Sequence, residues 1–244
     1  MDSMIQVDGL YKSYHGVNAV ENLSISIHSG EVFGLLGANG AGKTTSIECI
    51  LGVRKPDQGA ISVMGMNPSS DRKKLFEKVG VQFQESSFQE QIKVVELCEE
   101  TQALYKNPGD YQALLKQFGL AEMKKAAVAE LSGGQKQRLF VVLALLPNPE
   151  VVFLDELTTG LDSRARRTVW NGLSDLKQKG MTILMTSHYM DEVETLCDRI
   201  CILKKGKTVF MGTVQEAVTA SPFQRFEDAY LWLTDEEGSE NESI

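Results

Sequence analysis

Four glycines within nine residues interrupt an apolar run in the stretch GLLGANGAGKTTSIECILG, residues 34–52. Within this stretch, residues 37–44 fit the pattern G-x-x-x-x-G-K-[ST], and Lys43 and Thr44 follow its last glycine. Glycines let the backbone turn back on itself, so that successive N–H groups converge on an anion where the chain enters a helix. The stretch therefore predicts a phosphate-binding loop.

The residues on either side of this loop fit a strand before it and a helix after it. The run VFGLL at residues 32–36 is short and apolar, as expected of a covered parallel strand. Ile47, Ile50 and Leu51 recur at helical spacing before Gly52 provides a stop. A glycine-rich turn with a solvated lysine is the alternative, and both flanks argue against it. The motif alone indicates a nucleotide triphosphatase or kinase of the phosphate-loop type.

The remaining patterns predict an α/β fold of the P-loop NTPase class. The segment IQVDGLYKSY and the alternating Leu23, Ile25 and Ile27 indicate an antiparallel β layer at the N-terminus. Strand and helix patterns alternate from Ser132 onward, and this alternation predicts a mainly parallel core sheet with helices on its faces. Between these parts the pattern becomes helical, which predicts an inserted α-helical subdomain at about residues 90–145.

Length and charge limit the remaining possibilities. A chain of 244 residues is long enough for one large domain, here expected at residues 1–228 and followed by an acidic, partly disordered tail at residues 229–244. The net charge is −8, and five acidic residues lie in the final TDEEGSENESI, so we expect no nucleic-acid partner. The longest apolar run, LFVVLALL, is far shorter than the roughly 20 residues of a membrane helix. We therefore expect a cytoplasmic protein whose four cysteines are reduced.

Two carboxylates end a second apolar strand, VVFLDE at residues 151–156. Ligands bind at the carboxyl ends of parallel strands, so Asp155 is a candidate to hold Mg²⁺ and Glu156 is a candidate base for an attacking water. Strand-end carboxylates that only face solvent are the alternative, and the nearby phosphate loop makes it the weaker one.

A second bare helix start follows in LSGGQKQR, residues 131–138. Ser-Gly-Gly before an amphipathic helix offers N–H groups to an anion, whereas the structural alternative is that Ser132 merely caps the helix. The chain thus has two candidate phosphate-binding helix starts and one lysine-bearing loop. Either it binds two anions, or the second helix start completes the site of another molecule.

Five motifs in order, GANGAGKTT, LSGGQ, VVFLDE, TTGLD and TSH, resemble the ATP-binding cassette (ABC) ATPases over about residues 7–210. This resemblance implies a head-to-tail dimer that clamps two ATP molecules, each between the phosphate loop of one subunit and the LSGGQ of the other. It implies that MgATP is hydrolysed by in-line attack of water on the γ-phosphoryl group.

The resemblance also implies a role for each matching residue. Lys43 would reach the β and γ oxygens, Thr44 would ligate Mg²⁺, and His188 would contact the γ-phosphate unless it only caps the next helix. The loop residues that would wrap the phosphates are Gly37, Asn39, Gly40, Ala41, Gly42 and Thr45. The residues that would meet the ATP of the opposite subunit, or its interface, are Ser132, Gly133, Gly134, Gln135 and Asp162.

Two further roles have competitors nearby in the sequence. Gln84 resembles the glutamine that touches the metal and the attacking water, with Gln82 and Gln89 as alternatives. Tyr14 resembles the aromatic residue that stacks on adenine, with Tyr11 as an alternative. Leu157 replaces the proline that the family usually has after the catalytic glutamate, which puts the loop geometry in doubt rather than the chemistry.

A cassette of this kind resembles the energising subunit of a transporter. That likeness implies separate transmembrane permease subunits, a second ATPase subunit and a location at the inner face of the cell membrane. The segment FEDAYLWLTDEE at residues 226–237 resembles the end of cassettes in the drug- and antibiotic-exporting branch. A cassette acting on nucleic acid or the ribosome is the alternative, but it usually carries two cassettes or long insertions. A GTP switch or P-loop kinase would leave LSGGQ unexplained, and no N-K-x-D signature is present.

Overall fold

The described strands belong to two sheets in the computed structural model, which describes residues 3–82, 91–158 and 160–234. In chain order, the strands are β1 (Ser3–Tyr14), β2 (Val17–His28), β3 (Val32–Leu36), β4 (Gln58–Val63), β5 (Val79–Gln82), β6 (Val151–Leu154), β7 (Thr182–Thr186), β8 (Arg199–Lys204) and β9 (Lys207–Gly212). The smaller sheet has the order β2-β1-β4 and the larger one the order β5-β6-β7-β3-β8-β9.

The smaller sheet is the antiparallel layer that the sequence predicts. β1 pairs with β2 on one side and with β4 on the other, both antiparallel. Leu23, Ile25 and Ile27 of β2 are buried on one face, while Ser24 and Ser26 between them are more exposed. This alternation is the expected result of a strand with one face on the core and the other toward solvent.

The larger sheet is parallel from β5 to β8. β3, β6 and β7 are buried at every residue, which explains their continuous apolar sequences. β9, which the sequence analysis did not predict, pairs antiparallel with β8 at the edge of the sheet. A P-loop α/β fold with a mainly parallel core sheet is therefore confirmed.

Helices cover both faces of the larger sheet. In chain order, the described α-helices are α1 (Lys43–Ile50), α2 (Arg72–Phe76), α3 (Val94–Gln102), α4 (Tyr111–Gln117), α5 (Gly133–Leu145), α6 (Ser163–Gln178), α7 (Met190–Leu196), α8 (Val214–Thr219) and α9 (Phe226–Thr234). α3, α4 and α5 follow one another between β5 and β6, in the region expected to form the helical insertion.

The core sheet separates two apolar clusters, and β6 contributes to both. Val152 and Leu154 pack into the cluster that includes residues of α3 to α6. Val151 and Phe153 pack into the cluster that includes α1 and the antiparallel layer. Successive side chains of a strand point to opposite faces, so this short strand is held from both sides and the residues that follow it are firmly placed.

The last described helix, α9, continues past the boundary expected at residue 228. Phe226 and Ala229 are buried; Phe226 belongs to a third apolar cluster, against which Tyr230 and Leu233 pack. The acidic residues around this segment predict a tail from residue 229. Instead, the apolar side chains of α9 pack against α7 and β9. Helix α9 therefore extends to Thr234.

Candidate active site

The site lies at the carboxyl ends of three adjacent strands. β3 pairs with β7 and β7 pairs with β6, all parallel, so the segments that follow these strands meet at one edge of the sheet. These segments are the phosphate loop after β3, Asp155 and Glu156 after β6, and Ser187 and His188 after β7. Open α/β sheets bind ligands at this edge, and the fold therefore brings the motifs together.

Glycine is required at two positions of the phosphate loop. Gly42 has a φ of 106°, and a Cβ there would lie 2.2 Å from the carbonyl oxygen of Ala19. Gly37 has a φ of 148°, and a Cβ there would lie 2.5 Å from the carbonyl oxygen of Leu203. Larger residues would push the loop away from its neighbours, so the glycines keep the start of α1 in place. The first N–H groups of a helix lack intrahelical partners and are suited to an anion.

Lys43, the first residue of α1, is folded back over the loop. Its Nζ donates hydrogen bonds to the carbonyl oxygens of Gly37 at 2.8 Å and Ala38 at 3.2 Å, and lies 3.9 Å from Oε1 of Glu156. Burial lowers the pKa of the Lys43 ammonium below its ordinary value, whereas the Glu156 and Asp155 carboxylates oppose this shift. A cation held in this cradle, with only 5% of its side chain exposed, is placed to exchange carbonyl oxygens for phosphate oxygens.

Asp155 joins the phosphate-loop helix to the end of β7. Its Oδ2 accepts a hydrogen bond from Oγ1 of Thr44 at 3.2 Å, and its Oδ1 accepts one from Oγ1 of Thr186 at 2.6 Å. The Thr186 hydroxyl also accepts a hydrogen bond from the backbone N–H of Glu156 at 2.9 Å. Thr186 thus fixes both acidic residues. It is the first residue of the TSH motif, but sequence reasoning gave it no role, because its contacts depend on the pairing of β6 with β7.

Glu156 points at His188 across the gap between β6 and β7. Oε1 of Glu156 lies 2.5 Å from Nε2 of His188, and only 12% of the glutamate side chain is exposed. Glu156 has a φ of 51°, an uncommon backbone conformation for a residue with a side chain and one found at functional sites. The N-cap of α7 is Tyr189, so the alternative that His188 caps this helix is wrong.

Leu157, the residue in place of the family's usual proline, points inward. Its side chain is fully buried and belongs to the apolar cluster that includes helices α3 to α6. The apolar contact holds the chain directly after Glu156. The acidic pair therefore keeps its position without a proline.

A cavity of about 550 Å³ connects these groups to Tyr14. Its lining residues are Tyr14, Ala19, Asn39, Gly40, Gly42, Lys43, Thr44, Thr45 and Glu156. Tyr14 lies at the end of β1, and its ring has the charged groups of Lys12 and Arg54 within 5.4 and 5.6 Å of its centroid. Tyr11, the alternative, pairs with Gln58 in the antiparallel layer and is not among the lining residues.

A second cavity of about 550 Å³ lies beside the opposite ends of the strands. Its lining includes Ser29, Glu150 and Met181, each of which lies just before a strand of the larger sheet. Leu114 and Leu145 of the helical insertion add apolar surface. None of the residues predicted for the site lines this cavity, so the first cavity is the candidate active site.

Ser132 lies outside the candidate active site. It is the N-cap of α5, where its Oγ accepts a hydrogen bond from the N–H of Gln135 at 3.2 Å and its own N–H donates to Oε1 of Gln135 at 2.8 Å. Ser132 and Gly133 are exposed, and neither they nor Gly134 and Gln135 line the cavity. The helix-cap alternative is thus seen in the geometry, and this cap leaves the helix start open to a ligand from outside.

Two other predicted residues have different outcomes. Asp162 is exposed and is the N-cap of α6, where its Oδ1 accepts a hydrogen bond from the N–H of Ala165 at 2.8 Å. Gln84 and its alternative Gln89 lie outside the described residues. Gln82 ends β5 and is buried, and its carbonyl oxygen accepts a hydrogen bond from the N–H of Asp155 at 3.2 Å.

Sequence comparison agrees with the motifs. A family model described as ABC transporter matches residues 20–159, more than half of the chain. The chain belongs to the ABC transporter family. Nod factor export ATP-binding protein I of Ralstonia nicotianae is 36% identical over 221 residues, which are 88% of this chain and 69% of that protein. Its counterpart in Mesorhizobium japonicum is 40% identical over 88% of this chain and 66% of its own length.

Two solved structures that share this fold are also ABC cassettes. An ATP-binding subunit of an ABC transporter, 26% identical, superposes with a TM-score of 0.87 over 96% of this chain and all of that one. A dimeric bacterial ABC transporter cassette, 25% identical, gives a TM-score of 0.78 over 86% of this chain and 98% of that one. This ABC protein is thus an ATPase and the nucleotide-binding subunit of a transporter, as the sequence predicts. Each helix within residues 3–82, 91–158 and 160–234 is too short or too polar to span a lipid bilayer.

Proposed function

We propose that this ABC subunit hydrolyses MgATP at two sites shared between two copies of the cassette, and that closure of the dimer drives export through separate membrane subunits. One observation carries the proposal. Lys43, Thr44 and Glu156 line one cavity, whereas the Ser132 helix start is exposed and lies apart from it. A site that needs both groups is incomplete in one chain, so a second ATPase subunit would supply the missing half.

The acidic pair and the phosphate loop suit a magnesium ion. Oγ1 of Thr44 and Oδ2 of Asp155 lie 3.2 Å apart, and Mg²⁺ prefers a few oxygen ligands together with substrate phosphates and water. No group of three or more His, Cys, Asp or Glu in the described part of the chain could hold a metal, so the ion would need ligands from the nucleotide. Thr44 and Asp155 would hold the ion, with Gln84 as a further proposed ligand. When bound, the ion would neutralise charge on the phosphate oxygens.

The chain's own residues account for the remaining chemistry. Glu156 would accept the proton of the attacking water, and His188 would fix the direction of its carboxylate through the contact between Nε2 and Oε1. Lys43 and the N–H groups at the start of α1 would stabilise negative charge that develops on the transferred phosphoryl group. Tyr14 would stack on the adenine, and Gln84 would orient the water.

Two observations support export. The relatives from Ralstonia nicotianae and Mesorhizobium japonicum are named as Nod factor export proteins. Residues 226–237 resemble the end of exporter cassettes, and the described part of that segment, α9, packs on the core through Phe226. We therefore place the subunit at the inner face of the cell membrane, held there by a permease and with no nucleic-acid partner.

The variant Glu156→Gln tests this proposal, because the amide keeps the shape of the side chain but cannot accept the proton of water. We expect turnover to fall by roughly 10²-fold or more while MgATP still binds. Trapped ATP should shift the variant to twice its mass in size-exclusion chromatography with light scattering. Control samples without nucleotide, and with EDTA, should remain monomeric. A fully active Glu156→Gln protein would remove Glu156 as the base.

A further inference from the structure

Glu192 of α7 is a fully buried carboxylate that the chemistry above does not use. Its Oε2 accepts hydrogen bonds from Oγ1 of Thr158 at 3.1 Å and from Oγ of Ser187, and its Oε1 accepts one from Nε1 of Trp170 at 3.0 Å. Burying a charge is costly unless hydrogen bonds compensate for the lost water. The structure supplies three donors from three separate segments. This carboxylate therefore connects the three segments, and we call it the Glu192 junction.

Each of the three donors belongs to a segment that carries a site residue. Thr158 lies two residues after Glu156, and Ser187 lies immediately before His188. Trp170 lies in α6, which begins directly after Asp162. The Glu192 carboxylate therefore ties the segments of the proposed base, its histidine partner and the exposed residue expected at the dimer interface.

A neighbouring contact holds the same two helices together. Arg166 lies one turn before Trp170 on α6, and its guanidinium carbon is 4.3 Å from the centroid of the Tyr189 ring. The guanidinium also lies 3.3 Å from Oδ2 of Asp191. Residues four apart share one face of a helix, so Arg166 and Trp170 both lie on the face of α6 that contacts the beginning of α7. The junction at Glu192 is thus the buried end of a longer α6–α7 contact.

We propose that Glu192 is a positioning residue for ATP hydrolysis, which holds the Glu156–His188 pair in register and links it to the start of α6. The inference rests on the proposed function. Thr186 fixes the Glu156 backbone on one side of the pair, and Glu192 fixes the two flanking segments on the other. Displacing a reacting group by about 1 Å can reduce a rate by up to about 10²-fold, so loss of this junction should act on turnover.

Two substitutions of Glu192 distinguish the effect of losing its hydrogen bonds from the effect of losing its charge. In Glu192→Gln, the amide oxygen can accept from the N–H of Trp170 while the amide NH₂ donates to the hydroxyls of Thr158 and Ser187, because hydroxyls both donate and accept. Glu192→Leu removes all three connections and leaves an apolar side chain of similar length. Glu194→Leu is the matched control, since Glu194 is exposed on the same helix.

The test is steady-state hydrolysis of MgATP by the full chain, with kcat and KM determined for wild type and the three variants. We expect Glu192→Leu to lower kcat by about tenfold or more with KM changed less than about threefold, because nucleotide contacts remain. Glu192→Gln should keep kcat within about threefold, and Glu194→Leu should match wild type. This rescue by the amide, and the effect on kcat alone, would not follow from a merely structural role.

Thermal melting and binding of a fluorescent ATP analogue show whether each variant is folded. If Glu192→Leu does not fold, Thr158→Val and Trp170→Phe decide the question, because each removes one donor. Each should lower kcat by about threefold at unchanged KM. Folded variants with wild-type kcat would overturn this inference but not the proposed function. Equal losses of kcat in Glu192→Gln and Glu192→Leu would have the same consequence. Absence of hydrolysis by the wild-type chain would instead overturn the proposed function, and this inference with it.

Discussion

The chain has two helix starts suited to phosphate, and they differ in the number of other binding groups that surround each one. The start of α1 lies in a cavity, beside the buried Lys43 and the acidic residues Asp155 and Glu156, both of which are hydrogen-bonded to Thr186. The start of α5 has a capping serine and glutamine but is exposed. The first is preorganised by its own chain. The start of α5 is capped by Ser132 but has no surrounding site in the described part of its own chain, so its function depends on residues or a nucleotide supplied by another molecule.

Lys43→Ala should produce the largest effect, because it removes the lysine that lines the preorganised cavity. Losing one preorganised cationic contact to a developing charge costs roughly 10²-fold or more in rate. We expect ATP hydrolysis to fall by at least this factor, with the melting temperature near that of wild type. Phosphate release from purified protein measures the rate. Near-normal activity would show that the phosphate loop is not the half that carries the chemistry.

Thr186→Val should produce the next largest effect, because valine keeps the shape but removes the hydroxyl that supports Asp155 and Glu156. Leaving a buried carboxylate oxygen and a backbone N–H without this partner costs on the order of 1–3 kcal/mol. We expect kcat to fall about tenfold. Ser187→Ala at the neighbouring position does not touch Asp155 but removes one hydrogen-bond donor to Glu192, so we expect its kcat to fall only about threefold. Equal loss in both variants would place the cause in the loop as a whole.

Tyr14→Leu should weaken nucleotide binding and leave turnover nearly unchanged. Aromatic stacking contributes about 0.5–1.5 kcal/mol beyond the buried area, so KM for ATP should rise roughly 3- to 10-fold. Tyr11→Leu is the control, because Tyr11 is not among the cavity residues. A larger rise in KM for Tyr11→Leu than for Tyr14→Leu would reverse the assignment.

Ser132→Ala should show the smallest effect in an isolated chain, since this residue there acts only as a cap. Loss of a serine N-cap costs about 1 kcal/mol. We expect the free energy of unfolding in urea to fall by about this amount. Gly133→Ala is a useful comparison, because a Cβ at this exposed position meets no atom within 4 Å. A loss of several kcal/mol from Ser132→Ala would mean that this helix start is integrated into the chain's own core.

The architecture could largely be predicted from the sequence because its strands carry strong signals. The runs VFGLL and VVFL are apolar throughout and lie buried in the sheet. β9 escaped prediction because it lies at the edge of the sheet, where most of its residues are exposed and no alternation is required. Strong patterns arise where both faces are covered.

The site was predictable at the level of motifs and not at the level of supporting contacts. Lys43, Thr44, Asp155 and Glu156 follow strands or loops with distinctive patterns, and the structure brings them together. Glu192 lies in an acidic helix, where a glutamate ordinarily faces solvent, and it is buried because α6 and the segments after β6 and β7 all contact it. Such contacts depend on which elements meet in space, and a single sequence carries no signal for that.

The measurement that most directly tests the shared site uses two inactive proteins, Lys43→Ala and Ser132→Arg. The arginine would fill the space where the second helix start meets phosphate, so each protein alone should hydrolyse almost no ATP. In a head-to-tail heterodimer, one site combines both lesions and the other pairs an intact phosphate loop with an intact α5 start. Random pairing at equal amounts makes about half the dimers mixed, each with one sound site, so we expect about a quarter of wild-type activity.

This recovered activity should rise with total protein concentration, as dimers form by mass action. A control by light scattering establishes that MgATP still pairs the two variants. The shared-site account predicts recovery in the mixture and none in either protein alone. No recovery at any concentration, together with a wild-type protein that hydrolyses ATP as a monomer at a concentration-independent specific rate, would contradict it.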